Sequence, residues 1–252
     1  MRSVRTIKKK LLYTREASMP IDIQHAFAEK GVGVITIPMN RTVFQPYKSL
    51  EHEYDWIFFT SVNAVKYFDF TQLNQQAKIL AIGNQTTKTL QELGYSVDFQ
   101  PKEGFSEGLV EEWLRLVGAK QRVFWPHSFH ARRVIYNALV RQEHIVLEQV
   151  IYKNEFFPED QVRLKKLIMN ETIDYVLFAS PSAWTSFSKT IRTFKQLPEN
   201  FWSQLTIAAI GPVTARVIEK EQHVAIQPDI YDMPHLYECL LRRIDQENVS
   251  SL

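Results

Sequence analysis

Two short tracts set small and polar residues where an anion could be held. In "AIGNQT" (81–86) Gly83 is followed by Asn84 and then Thr86, and in "AIGPVT" (209–214) Gly211 is followed by Pro212 and then Thr214. Each tract follows an apolar, β-rich run and opens a stretch with helical spacing, so each reads as a strand-to-helix junction. The first turn of a helix leaves backbone N–H groups without intrahelical partners and carries partial positive charge, so it either caps itself or receives an anion. Glycine adds the option of close backbone approach by a ligand.

Two further junctions repeat the theme without glycine. Thr60, Ser61 and Asn63 follow an apolar run in "FFTSVNAV" (58–65), and Ser180 and Ser182 hold the matching places in "LFASPSAW" (177–184). Capping alone, worth about 1 kcal/mol per helix, explains any one of these side chains. Four junctions of this kind taken together, two of them with glycine, weigh toward a ligand as well as capping.

Other chemistries lack their signatures. Neither glycine tract is G-x-G-x-x-G or G-x-x-x-x-G-K-[ST], which argues against a dinucleotide or P-loop site. There is no G-x-S-x-G and no H-E-x-x-H. Of the seven histidines, His127 and His130 are three apart, yet no third ligand accompanies them, so neither metal nor cofactor is expected. The single cysteine, Cys239, reads as a small hydrophobe in a reducing compartment. With no acid–base dyad in view, an enzyme of this sequence would work chiefly by holding its substrate in shape.

The elements that must position these residues follow from composition and periodicity. The chain has 252 residues, 45% hydrophobic and 23% charged, with a net charge of +2, values of a globular protein large enough for two domains. So small a net charge, with the basic residues scattered, argues against nucleic acid. No apolar run reaches membrane-spanning length and no secretory h-region follows the basic start, so a cytoplasmic protein is expected. The cluster Lys8-Lys9-Lys10 reads as a solvated end.

Short apolar runs alternate with amphipathic stretches, the pattern of an α/β fold with parallel strands. Ten strands are expected, at 10–13, 32–37, 56–59, 79–82, 97–100, 123–125, 146–150, 175–178, 206–210 and 224–226. The sequence also repeats: 54–68 aligns with 173–187, sharing Asp55/Asp174, Phe59/Phe178, Ser61/Ser180, Ala64/Ala183 and Phe68/Phe187, while Gly83 matches Gly211. A fainter pair joins 11–37 to 123–149. The chain therefore reads as two kinds of unit in alternation, a two-strand and a three-strand unit, each present twice. Spacing leaves open which two-strand unit joins which three-strand unit.

Motif order then gives a resemblance. From "LLYTRE" (11–16) through "IFFTSVNAV", "ILAIGNQT", "EGFSEGLVEEW" (103–113), "QVIYKN" (149–154) and "LFASPSAW" to "AAIGPVTARVIEK" (208–220), nearly the whole chain resembles the uroporphyrinogen-III synthase family. The resemblance implies two flavodoxin-like lobes, each a five-stranded parallel sheet flanked by helices. One would be 1–38 with 156–252 and the other 46–150, tied by extended linkers at 39–45 and 151–155.

It further implies a cofactor-free hydro-lyase, monomeric and cytoplasmic, that binds hydroxymethylbilane between its lobes. Such an enzyme closes the tetrapyrrole ring in haem biosynthesis with inversion of ring D and loss of water. Tyr152 matches the family's linker tyrosine and would be the proton donor. Arg15 and Arg132 match family arginines that would meet substrate carboxylates, with Thr60, Ser61, Asn63, Gly83, Asn84, Thr86, Ser106, Ser180, Ser182, Gly211, Pro212 and Thr214 supplying the junctions. The chain departs from the family at "WPHSFHARR" (125–133), where His127-Ser128 replaces a common Arg-Gly. The reading from another class is a cytosolic two-lobed binding or sensor protein for an anionic metabolite, without turnover.

Overall fold

The computed structural model describes residues 8–48, 53–102 and 106–250. Its contacts divide the chain into two compact units, Met1–Arg41 with Glu155–Leu252, and Thr42–Asn154. In chain order the elements are β1 (Lys9–Tyr13), α1 (Ile21–Glu29), β2 (Val32–Thr36), β3 (Arg41–Phe44), β4 (Trp56–Phe59), α2 (Val62–Tyr67), β5 (Lys78–Ala81), α3 (Asn84–Glu92) and α4 (Ser106–Leu116). There follow β6 (Arg122–Ser128), α5 (Val134–Arg141), β7 (Ile145–Glu155), α6 (Pro158–Asn170), β8 (Tyr175–Phe178), α7 (Pro181–Ile191), α8 (Phe201–Gln204), β9 (Thr206–Ala209), α9 (Pro212–Ile218) and α10 (Met233–Ser250).

The first unit is built on a sheet ordered β2-β1-β8-β9, parallel throughout. Alternation along its strands sorts side chains to two faces. Leu12, Val176, Phe178, Ile207 and Ala209 pack with Trp184 and Phe187 of α7 and with Leu164 of α6, whereas Leu11, Tyr13, Tyr175, Leu177 and Ala208 pack with Phe27 of α1 and Leu240 of α10. Both faces are buried, which is why these strands read as continuous apolar runs.

The second unit has the sheet β3-β7-β6-β4-β5, in which β7, β6, β4 and β5 are parallel. Ile57, Phe59, Ile79, Ala81 and Phe124 join one core with Leu90 of α3, and Trp56, Phe58, Leu80, Val123 and Trp125 join the other with Trp113 of α4 and Leu139 of α5. Around Trp113 the rings of Trp56 and Phe58 stand edge-on, with centroids 5.7 and 5.1 Å away.

The expected count of five strands per sheet needs correction in two places. The runs at 97–100 and 224–226 shrink to single bridges, Leu80 with Phe99 and Ala208 with Ile226. Each run ends in Gln-Pro, at Pro101 and Pro228, and proline cannot donate to a ladder, so these edges stop short. The fifth strand of the second sheet is instead β3, inside the tract read as a linker, and the second such tract, 151–155, continues β7.

The basic start is also more than a solvated end. Lys9 donates to Tyr175 Oη at 3.0 Å and to Glu247 Oε2 at 2.8 Å, Lys10 pairs with Glu171, and Tyr175 donates to the same Glu247 oxygen at 2.5 Å. This network fastens α10 to the amino-terminal ends of β1 and β8.

Candidate functional site

In open parallel sheets, ligands gather outside the carboxyl ends of strands. The residues singled out above lie there, and each unit is described by itself.

In the second unit, β4 leads into α2 through Thr60 and Ser61. Ser61 is the N-cap: its Oγ accepts the Ala64 N–H at 3.0 Å. The same oxygen lies 2.8 Å from Tyr152 Oη, so capping and a further contact coexist on one hydroxyl. Tyr152 stands on β7, 7% exposed, its ring stacked on Tyr67 with centroids 6.0 Å apart. Its carbonyl accepts from Phe129 N at 2.9 Å, which pins the turn after β6. Thr60 Oγ1 receives Trp125 Nε1 at 3.4 Å and Asn63 Nδ2 reaches Thr42 Oγ1 at 3.4 Å.

After β5, Gly83 caps α3 with φ +79°, the left-handed region, and nothing lies within 4 Å of where a Cβ would stand. Asn84 is exposed and accepts from Gln100 Nε2 at 2.7 Å. Thr86 is buried, so its side chain serves packing. Ser106 opens α4, and its side chain lies outside the described residues. Arg132 is exposed in the loop between β6 and α5.

His127 is buried with its ring 4.2 Å from that of Trp125, donates from Nδ1 to the Ser128 carbonyl at 2.8 Å, and turns Nε2 toward Glu148 Oε2 at 3.6 Å. A carboxylate of the protein therefore already faces this imidazole. Arg133 donates to the other Glu148 oxygen at 2.9 Å.

The first unit carries the matching junctions with different partners. Ser180 caps α7 through Ala183 N at 3.2 Å and lies 3.1 Å from Ser182 Oγ, with Pro181 at the first helical position. Gly211 precedes α9 in extended backbone, φ 176° and ψ −179°, which any residue adopts. Here the expectation of a turn rich in free amides is corrected. Pro212 has no N–H, and the Thr214 and Ala215 amides both donate to the Gly211 carbonyl, at 3.1 and 2.9 Å. Thr214 is buried.

Arg15, half-buried, follows β1. Beneath it Tyr13 and Tyr237, both buried, meet at their hydroxyls, 3.0 Å apart. Burial pushes the Tyr237 phenol above its ordinary value, the Tyr13 contact adds to this, and Arg15 works against it. Neither tyrosine carries a local sequence signal, because their partnership spans 224 residues.

Two groups are thus brought together by the tertiary structure, Ser61 with Tyr152 and Tyr13 with Tyr237, whereas Ser180 meets Ser182 within one turn. A hollow of about 600 Å3, lined by Phe99, Lys102, Gly108, Glu111, Glu112, Arg115 and Leu116, holds none of the expected residues. Among the described residues no cluster of metal-ligating side chains occurs, and no helix is long and apolar enough to cross a membrane.

Comparison with known proteins adds an independent line. The family profile described as uroporphyrinogen-III synthase HemD matches residues 22–238. The porphyrin biosynthesis protein HemD of Ruminiclostridium josui is 30% identical over 199 residues, 75% of this chain and 38% of that protein. The chain thus spans little more than a third of that relative's length. Uroporphyrinogen-III synthase of Synechococcus elongatus is 27% identical over 236 residues, 83% of this chain and 85% of that one. Among solved structures, uroporphyrinogen-III synthetase of Helicobacter pylori superposes with a TM-score of 0.64 at 18% identity, over 94% of this chain and all of that one. A Thermus thermophilus uroporphyrinogen III synthase mutant gives 0.60 at 17%, over 95% of this chain and all of that one, so both structures share the α/β fold. By the match along most of its length, this chain belongs to the uroporphyrinogen-III synthase family.

Proposed function

We propose that the chain is itself a uroporphyrinogen-III synthase. It closes hydroxymethylbilane into a macrocycle, inverting ring D through a spiro intermediate: the terminal hydroxyl leaves as water once protonated, the substituted α carbon of ring D bonds the methylene left behind, its own bond to the ring C methylene breaks, and the free α carbon of ring D bonds that methylene and loses its proton. The family match along residues 22–238 carries this reading. No strong acid–base pair is needed, because conformational selection does most of the work and proton donation adds about 10²–10⁴-fold.

Each unit is read as a flavodoxin-like lobe. Counting the single bridges as terminal strands, β2-β1-β8-β9-Ile226 follows the 2-1-3-4-5 pattern, and β7-β6-β4-β5-Phe99 sets out the same arrangement with the two-strand unit coming last along the chain, so that its order is 5-4-1-2-3. Residues 39–45 and 151–155 are the extended linkers, and the enzyme works as a cytoplasmic monomer.

Tyr152 is the proposed proton donor, and the Ser61 contact supports it. Ser61 Oγ already accepts from Ala64 N, and its own hydrogen is available to Tyr152 Oη at 2.8 Å. That direction leaves the phenolic hydrogen free for the departing hydroxyl. Arg15 and Arg132 bind carboxylates, joined by the polar groups of Thr60, Asn63, Asn84, Ser106, Ser180 and Ser182 and by the backbone around Gly83 and Thr86, while Gly211, Pro212 and Thr214 shape the turn after β9.

The test is direct. Incubation of the purified chain with hydroxymethylbilane, followed by oxidation to porphyrins and isomer separation, should give the type III product in excess of the spontaneous type I. No such excess refutes the proposal.

A further inference from the structure

The two glycines at equivalent places in the repeat serve different physical needs. Gly83 needs its backbone freedom, at φ +79°, and has open space where a Cβ would be. Gly211 has ordinary extended backbone, but a Cβ there would meet Tyr231 Cγ at 3.0 Å, Cβ at 3.1 Å and Cδ1 at 3.2 Å. Glycine at 211 therefore makes a seat for the Tyr231 ring.

Tyr231 is 59% exposed. Packed on a glycine and otherwise open, an aromatic side chain contributes little to a core and keeps surface available for a ligand ring. Its chain neighbour Ile230 and Val213 of α9 are exposed apolar side chains as well. In the sheet order β1-β8-β9, Arg15 follows the first strand, Ser180 and Ser182 the second, and Gly211 with Tyr231 above it the third. One sheet edge thus sets a cation and hydroxyls beside an apolar platform, with strands about 4.8 Å apart.

We propose that Tyr231, seated on Gly211, is a substrate-positioning residue whose free surface receives a pyrrole ring, while the neighbouring polar groups take the ring's carboxylate arms. This rests on the reading of the chain as a synthase of a tetrapyrrole polyacid, and it adds a ring-binding residue that the duplicated motif does not contain.

Steady-state kinetics on hydroxymethylbilane test it with Tyr231→Ala, Tyr231→Phe and Gly211→Ala. Loss of one aromatic contact should raise KM about three- to tenfold in Tyr231→Ala with kcat little changed. Tyr231→Phe should retain the wild-type KM, because the ring and not the hydroxyl does the binding. Gly211→Ala should raise KM in the same sense, since its methyl displaces the ring from its seat. Unchanged KM in Tyr231→Ala, or a fall in kcat alone, overturns the inference. Should the wild type form no excess of type III product, the synthase reading fails, and titration with uroporphyrin followed by its absorbance decides the present point separately. There, weaker binding by Tyr231→Ala supports ring contact, and equal affinity or no binding by the wild type overturns it.

Discussion

Replacing Tyr152 by phenylalanine removes one oxygen and little else. The ring keeps its stack on Tyr67 and its place in the core around Phe59 and Phe124, so no cavity of consequence forms. Ser61 keeps the Ala64 amide and with it the cap of α2. The structural cost is one hydrogen bond at 2.8 Å, about 1 kcal/mol net. For a chain of this size that lowers Tm by about 2–4 °C. If the phenol protonates the leaving hydroxyl, kcat should fall by about 10²-fold or more while KM moves little. Type III product formed from hydroxymethylbilane, timed against the spontaneous type I background, measures the rate, and a thermal melt measures the rest. Ser61→Ala is the companion: it removes the cap, about 1 kcal/mol, and the phenol's partner together, so it should lose more stability and less turnover than Tyr152→Phe. Tyr152→Phe with wild-type kcat refutes the assignment.

Asp160, fully buried, accepts from Arg41 Nε at 2.7 Å and Arg163 Nη1 at 3.0 Å; because both arginines are partly exposed, Asp160→Ala should cost about 2–3 kcal/mol, seen as a lower urea midpoint. Gly83→Ala should lose about 1–2 kcal/mol from the left-handed backbone alone, with no clash, whereas Gly211→Ala carries a steric cost and no backbone cost, so their denaturation and kinetic profiles should differ in kind. The network on α10 sets a pH dependence. Burial disfavours charge on Lys9, yet its bonds to Glu247 and Tyr175 push it from 10.5 up to about 12, while burial and the Glu247 contact push the Tyr175 phenol from 10.0 up to about 12. Both folded values are raised, so their stabilisation is whole below pH 10 and is lost as pH rises toward 12. Burial opposes charge on Glu247, but Lys9, Tyr175 and Arg243 hold it below its ordinary 4.5, so its share is lost as pH falls through the acid range. Urea midpoints across pH should show both declines, and Glu247→Gln should flatten them.

Much of this protein is written locally. Strand-to-helix junctions depend on a few consecutive residues: Ser61 and Ser180 cap the helices that follow them, and Pro158, Pro181 and Pro212 stand at first helical positions. Continuous apolar runs such as "WIFF" and "YVLF" marked strands buried on both faces, because each residue faces one of two cores. The repeat and the motif order were legible for the same reason, and they identified the family.

Pairing was not legible in local pattern or spacing, because it is a contact between distant segments, and only the family resemblance suggested which units go together. That β1 lies beside β8 and β4 beside β6, that 97–100 and 224–226 fail as strands while 41–44 succeeds, and that Lys9 reaches Glu247 across 238 residues are decided by which surfaces bury together. The meaning of the two glycines belongs to the same class. Sequence alone presented Gly83 and Gly211 as equivalents; only the folded chain sends Tyr231 back over one of them and leaves the other open, since the space around a backbone atom is filled by residues that no local pattern names.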